Sequence, residues 1–575
     1  MSVEKLRSDV AEHFGEMVAA DDALLKECIS MCRTFNLSAQ DLSYKWQAIC
    51  YNSTQSVQIF TLKSVPDLRA KLQSERTKAN AIRQEAMARN LASLGKGRGK
   101  SEGLLNPIIA KNFDERLSVG PLKSQVVKVE LGDVAGPSRV RFQGPTAESM
   151  EGRVYRYMYE KVLERSEVLD DRIDGFAELI QRHYHVDEFG DPASTTEDPI
   201  TIVGRIVPDA DAASSGVKLG ESSLVLESSR MMGSGVRVPI RLTPETKLRG
   251  GTKGIGGMSF FPGAIVALRG RNGGGGFFLV DEVLAPPPIQ APSPPLSDPN
   301  TSFSMAIACG PFTADTDLGY KPWSQLLKNL KSAKPAVLLL IGPFVNADHT
   351  RIAGGDTDET PKEIYNRHFC GALQDFLLHS PGSKVLLVPS VRDLISDHAV
   401  FPQCAIDAGL CNNVPQIRCL PNPCRFSVNG VSFGVSSVDV LFHLRREEFF
   451  RRMQETDPVA PDVAPVTDPM ANLARTVLQQ RSFYPIFPVP LDVSHEVNLD
   501  VTHSEGLMLT ETEDDCAPDV LVLSSRLKQF SKVVDTSVVV NPSFLNKGTY
   551  AVLSYDGQAS GLPRDRIHTE IPRII

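Results

Sequence analysis

Apolar positions along the chain pass through distinct regimes. Near the N-terminus Phe14, Met17, Val18, Leu24, Leu25, Cys28, Ile29 and Cys32 recur three and four residues apart, the repeat that lines one face of an α-helix. Leu42, Trp46 and Ile49 continue it, so residues 1–85 are predicted to be a helical module. From 86 to 150 the period fades. LGKGRGKSEG, GDVAGPSRV and QGPTAES supply Gly, Pro, Ser and charge without a stripe, which suits a flexible linker. The helical repeat returns over 151–190, where Val162, Leu169, Ile173, Phe176 and Ile180 predict a helical lead-in.

Short apolar runs and alternation then take over. TIVGRIV, SSLVLESS, VRVPIRL, FFPGAIVALRGRN and GGGGFFLVDEVLAP read as five strands within 191–290, the number and spacing of a small Greek-key barrel of the oligonucleotide/oligosaccharide-binding (OB) type. The run APPPIQAPSPPLSDP closes this block. From 302 to 575, MAIACGPF, AVLLLIGPF, KVLLVPSV, VSFGVSSVDVL, DVLVLSS and SVVVNPS look like buried strands that each end in a turn, with helical stretches such as WSQLLKNLKS between the early ones. That order predicts a two-layered α/β domain, whose ligands would sit beyond the carboxyl ends of the strands.

Composition narrows the function classes. At 575 residues, 42% apolar and 23% charged, the chain is ordinary globular material and too long for one core. A net charge of −8 argues against a protein that grips duplex DNA through many phosphates. No run reaches the ~18–20 apolar residues of a membrane span, and MSVEKLRSDVAEHFGEM lacks the apolar core of a secretory signal. The expected location is therefore the nucleus or cytosol, with Lys96, Arg98 and Lys100 either a weak import patch or solvated linker. Ten cysteines include no C-x-x-C pair, and Cys404, Cys411, Cys419 and Cys424 cluster without a histidine at ligand spacing. Thiols in a core or loop fit them better than a zinc site.

The repeated strand-and-turn order resembles the calcineurin-type metallophosphoesterase fold, whose active members carry D-x-H, G-D-x-x-D, G-N-H-[DE] and G-H-x-H at these turns. There the acids, histidines and asparagine hold two metal ions that activate water. Here the turns read Ala308-Cys309-Gly310-Pro311-Phe312, Gly342-Pro343-Phe344-Val345-Asn346, Pro389-Ser390-Val391-Arg392-Asp393 and Val540-Asn541-Pro542-Ser543-Phe544. Proline offers a metal no donor, and a fixed arginine cation repels one. Cys309, Gly310, Pro311, Pro343, Asn346, Arg392, Asp393, Asn541 and Ser543 thus mark degenerate former metal-site turns. Asp393 is read as a turn acid or an ion pair with Arg392, and the lone His349 as surface or structural. No catalytic residue, metal or cofactor is expected.

A degenerate phosphoesterase behind an OB barrel resembles the B (regulatory) subunits of eukaryotic replicative DNA polymerases. IACGPFTADTD, LLLIGPFVNADH, VNGVSFGVSSVDVLFHL and YRYMYEKVLERSEVLDDRIDGFAELIQRHYHV place the likeness nearest the polymerase α branch. The resemblance implies a non-catalytic scaffold of the polymerase α–primase complex. It would bind the C-terminal domain of the catalytic subunit, assemble with the primase subunits, dock other replisome proteins through its N-terminal module and support primer synthesis. DNA contact would be weak or indirect. Two alternatives stand beside it. One is an active phosphoesterase or nuclease. The other is a single-strand-binding barrel using Phe260, Phe261, Phe277 or Phe278 with Arg237, Arg241, Arg249, Arg269 and Arg271.

Overall fold

The computed structural model describes residues 21–35 and scattered positions between 10 and 69, then 140–144, 155, 157, 161–208, 218–233, 235–292, 301–461, 465, 467–510 and 515–574. Most of the stretch read as a linker, including Lys96, Arg98 and Lys100, lies outside them. Met1–Lys128 and Val129–Ile575 form two compact units.

In the first unit, helix α1 (Asp22–Phe35) begins where the Asp21 carboxylate accepts the Leu24 N–H at 3.2 Å, satisfying one of the free amides of a helix start. Its stripe Leu24, Leu25, Cys28, Met31 and Cys32 is buried with Val18, Leu42, Trp46 and Phe60, as the three- and four-residue repeat requires.

The second unit starts earlier than the sequence pattern suggests. Phe142–Gln143 form strand β1, which pairs antiparallel with Cys424–Val428. Part of the predicted linker is therefore sheet. The alternation Val140, Phe142 carries apolar side chains to the core, but a two-residue strand is too short to register as a period.

Helix α2 (Val162–Tyr184) precedes the strands β2 (Ile200–Pro208), β3 (Leu224–Glu227), β4 (Arg237–Arg249), β5 (Gly257–Phe260), β6 (Ile265–Arg271) and β7 (Phe278–Leu284). The order β4-β3-β2-β6-β7, with β4 also pairing β7, closes a five-stranded barrel. Along β4 exposed and buried residues alternate, so Val238, Ile240, Leu242 and Leu248 fill the interior while the charged residues face out. Helix α2 covers part of the outer wall through Ile173, Phe176, Ala177 and Ile180 against Val203, Ile265, Ala267 and Leu284.

The remaining chain supplies β8 (Phe303–Cys309), α3 (Lys321–Ala333), β9 (Val337–Ile341), α4 (Gly371–His379), β10 (Lys384–Val388), β11 (Ile417–Cys419), β12 (Cys424–Val428), β13 (Val431–Ser436) and α5 (Val440–Glu447). It continues with β14 (Phe449–Arg452), β15 (Gln454–Thr456), α6 (Pro469–Gln479), β16 (Val520–Leu523), β17 (Phe530–Val534), β18 (Ser537–Asn541), β19 (Ala551–Tyr555) and β20 (Ile567–Glu570). Two six-stranded sheets result, β1-β12-β13-β16-β18-β17 and β11-β10-β9-β8-β19-β20. The expected two layers are in fact four. Met305, Ile307, Cys309, Leu339 and Ile341 meet Val520, Val522, Val538 and Val540 between the sheets. Their alternates Ala306, Ala308, Leu338 and Leu340 face α3 and α4, and Leu521, Leu523 and Val539 face α6. Strands buried on both faces are continuous apolar runs, and such a run does not tell a second sheet from a helix layer.

Barrel and sandwich are not separate at the proline-rich run. β14 pairs with β5 and β15 with β4, so the C-terminal segment contributes two strands to the barrel side. The Glu455 carboxylate accepts the Gly254 and Gly256 N–H groups at 2.9 and 2.7 Å. Gln480, 5% exposed, accepts the Ile265 N–H at 2.9 Å and donates to its carbonyl at 3.0 Å, as a neighbouring strand would. One apolar cluster runs from the barrel interior through Phe261 to α5, α6 and Val539.

Candidate functional site

Parallel strands β8, β9 and β10 of one sheet, and β13, β16 and β18 of the other, run in register, so their carboxyl ends lie together. All nine turn residues singled out from sequence fall at this edge, where side-chain hydrogen bonds close the turns on each sheet.

Cys309, fully buried at the end of β8, lies with its Sγ 3.0 Å from the Ser524 Oγ. The contact ties the two sheets together, and burial pushes the thiol up to about 12, so it stays protonated. Gly310 donates its N–H to the Ile341 carbonyl at 2.7 Å, and a Cβ there would stand 2.1 Å from the Pro343 carbonyl oxygen. Pro311 and Pro343 both follow cis peptide bonds.

Asp393, 4% exposed, fills the space beneath the second turn. Its Oδ1 accepts the Phe344 N–H in a short bond and the Val345 N–H at 3.0 Å. Its Oδ2 accepts the Ser390 N–H at 3.0 Å. Three backbone amides that have no strand partner are thus satisfied by one carboxylate. Gly342 is required beside it, since a Cβ would meet Oδ2 at 2.1 Å. Arg392 turns the other way, toward Asp348 at 3.5 Å, so Asp393 is the turn acid and not Arg392's ion-pair partner. Asn346 bridges Asp393 through the backbone and accepts the Asp348 N–H at 3.4 Å. His349 is 2% exposed, near the Ala314 carbonyl at 3.0 Å and accepting the Arg351 N–H at 3.3 Å, which makes it a structural cap.

On the other sheet, Asn541 is fully buried. Its Oδ1 accepts the Ser525 and Ser543 N–H groups at 3.1 and 2.9 Å, while its Nδ2 donates to the Leu527 and Lys528 carbonyls. Ser543 holds φ +60° to make that turn.

A further network completes the edge, and its members lie too far apart in sequence to form a motif. Asp439 caps α5 by accepting the Phe442 N–H at 3.1 Å and also accepts from the Arg526 N–H and Nε at 2.8 and 3.1 Å. Arg526 reaches Glu496 in a short bond, and its guanidinium lies 4.4 Å from the Phe442 ring centre. Glu496 lies 3.4 Å from His443 Nε2, and His443 Nδ1 lies 3.1 Å from the Tyr484 hydroxyl. His443 is wholly enclosed, so this chain holds α5 against the strand ends rather than meeting a ligand. The only cue in the sequence is Asp439, a helix-capping residue directly before an apolar run.

Among the described residues no group of three or more histidine, cysteine or acidic side chains is placed to hold a metal ion. The four clustered cysteines divide. Cys411 lies 3.7 Å from Cys370 and 3.1 Å from the Tyr365 hydroxyl within a helix-covered core, Cys404 receives Tyr157, and all are free thiols.

The enclosed carboxyls give the unit a pH signature. Burial pushes Asp393 up to about 7 against the pull of its three amides, and Asp519 up to about 6 against the Ser432 N–H and hydroxyl. Both keep a proton in the folded chain that an unfolded carboxylate, with an ordinary value of ~4, releases. Their contribution to stability therefore falls as pH rises from about 4 through 7. Burial also works to raise Glu496, but His443 and Arg526 hold it down at about 2, so its contribution is lost as pH falls below about 4. Asp519→Asn is expected to shrink the difference in urea midpoint between pH 5 and pH 7; an unchanged difference would assign the effect elsewhere.

Comparison with known proteins agrees with this architecture. The family model for the B subunit of DNA polymerase alpha/epsilon matches residues 305–532. The model for the OB domain of the DNA polymerase alpha B subunit matches 166–286, which is the helix-covered barrel. The DNA polymerase alpha B subunit of Schizosaccharomyces pombe is 29% identical over 570 residues, covering 93% of this chain and 94% of that protein. The same subunit of Saccharomyces cerevisiae is 30% identical over 70% of this chain and 60% of its own length. That of Bos taurus is 26% identical over 66% and 57%. A solved structure, TT1561 of Thermus thermophilus, covers 48% of this chain and all of its own at 11% identity and a TM-score of 0.23, too low to bear on the fold. With the OB model on the barrel, the alpha/epsilon model on the sandwich and a fission-yeast relative along nearly the whole length, the chain belongs to the family of DNA polymerase alpha/epsilon B subunits.

Proposed function

We propose that the protein is a non-catalytic accessory subunit of a DNA polymerase α–primase assembly, a scaffold that binds the catalytic subunit and supports primer synthesis. The observation that carries this reading is the closure of the strand-end edge. Where a two-metal phosphoesterase would converge acids and histidines on open space, Asp393 and Asn541 spend their oxygens on backbone amides. Cys309 spends its thiol on Ser524. A metal could enter only by leaving those amides unsatisfied, which would cost several kcal/mol. The residues therefore do not fit the metals of the resembled enzymes.

The barrel and sandwich share strands and a core, so they can present one rigid surface to a partner, which suits a scaffold better than two loosely tethered domains. The partner by this reading is the C-terminal domain of the catalytic subunit, with the primase subunits held in the same assembly and further replisome proteins recruited by the N-terminal unit. Its place of action would be the nucleus. Among the described residues no helix is long and apolar enough to cross a membrane.

The catalytic half of the reading is tested by incubating purified full-length protein with manganese, zinc or iron and a chromogenic phosphodiester. Background turnover and no stoichiometric metal are expected. Turnover abolished by chelation, together with metal retained at one or two ions per chain, would overturn it.

A further inference from the structure

The second unit carries a locally reversed charge on the barrel wall that α2 leaves uncovered. The chain's net charge is −8, yet the outward positions of β4 and β6 include Arg237, Arg241, Lys247, Arg269 and Arg271, all exposed. Register places them in rows. Arg241 and Arg271 both stand opposite Leu279 of β7, one on each side. Lys247 and Arg269 both stand opposite Glu282. At ~4.8 Å between strands, the cations of each row are ~10 Å apart.

Acidic neighbours offset this charge only in part: Glu245 on β4 is exposed as well, and Glu282 stands between Lys247 and Arg269 in the register. Asp281 lies 4.0 Å from Arg271, Glu282 is 3.8 Å from Arg249, and Glu227 takes Arg237 and Arg205. Arg241, Lys247 and Arg269 have no acidic partner among the described residues. Phe260, Phe261 and Phe278 are fully buried, but Phe277 is only half-buried and carries the Arg241 guanidinium 3.8 Å from its ring centre. Beside it the loop Gly273–Gly276 is exposed and has no side chain to keep a ligand from its backbone.

We infer that this outer face of β4, β7 and β6 is a contact surface for single-stranded nucleic acid. Unpaired cations spaced across strands meet successive phosphates, and the flat Arg241–Phe277 pair is a platform on which a base can stack. An acidic peptide would satisfy the cations but would have no use for that platform. The face takes in the third barrel strand and the loop between the fourth and fifth, which such barrels commonly use, and extends across the outer wall of the fourth and fifth strands.

The test is fluorescence anisotropy of a labelled oligothymidylate of about 20 nucleotides with the full-length protein, long enough to span the face. Three phosphate contacts predict binding about 20-fold weaker at 200 mM than at 50 mM salt. Arg241→Glu with Arg271→Glu is expected to weaken binding at least tenfold, and Phe277→Ala about tenfold. Lys321→Glu with Lys362→Glu, the same charge change on the sandwich, should move it less than about twofold. If the double glutamate variant does not fold, as judged by circular dichroism, Arg241→Gln with Arg271→Gln replaces it, with a loss still expected. Equal loss from both charge-reversal pairs, displacement by polyglutamate as effective as by unlabelled oligothymidylate, or duplex bound as tightly as single strand would each overturn the inference.

Discussion

Asp393→Ala is expected to destabilise the C-terminal unit by about 3–5 kcal/mol at pH 7.5, because it leaves three enclosed backbone amides without an acceptor. Those amides belong to Phe344, Val345 and Ser390, in two turns otherwise joined only through backbone bonds such as Ala347 N–H to the Arg392 carbonyl and Leu394 N–H to the Val345 carbonyl. Asp393→Asn keeps one acceptor oxygen but sets an N–H₂ against the remaining amide, so about half of that loss is expected. Urea unfolding followed by circular dichroism measures both. If alanine costs less than about 1 kcal/mol, the carboxylate is not what closes the turns.

Gly263→Ala is expected to disrupt the joint between barrel and sandwich. Gly263 sits at φ +100°, a backbone region that side chains rarely enter. A Cβ there would lie 2.3 Å from the Phe487 nitrogen and 2.5 Å from the Pro485 carbonyl. Its own N–H donates to the Ile206 carbonyl, while the Phe487 N–H donates to the Pro262 carbonyl, so neither backbone can retreat without losing bonds. A cost of about 3 kcal/mol or more is expected from strain and clash together. Hydrogen exchange should show faster opening of β6 and of the β5–β14 pair, while the strands between the two sheets stay protected. Uniform protection as in the unmodified protein would mean that the two parts are not coupled through this contact.

How much of this was readable beforehand depends on how local the signal is. The five barrel strands follow their runs: β4 alternates, with Val238, Ile240 and Leu242 pointing inward one after another, while β2 and β3 are short apolar runs. Strands β8, β9, β10, β13, β16 and β18 were equally plain, since apolar runs such as Val337–Ile341 have no other home. The second sheet was not, because Leu521 facing a helix and Val522 facing a sheet are both simply buried. Strands β14 and β15 escaped notice for a different reason. Phe449–Arg452 and Gln454–Thr456 are only four and three residues long, and what makes them strands is pairing with Gly257–Phe260 and with Lys247–Arg249, far back in the chain. The nine turn residues were found because they depart from a known pattern. Asp439, Glu496 and Arg526 come together only in three dimensions.

The most direct test of the scaffold reading is co-expression of the full-length protein with a DNA polymerase α catalytic subunit, alone and carrying Gly263→Ala. An equimolar complex is expected on gel filtration at about 0.5 M salt, where surface charge pairs are screened but apolar contact is not. The glycine variant, folded but with its two parts uncoupled, should lose most of that complex. Were the catalytic subunit to elute free of the unmodified protein, or to be held equally well by a variant lacking everything from Val129 onward, the joint surface of barrel and sandwich could not be the scaffold.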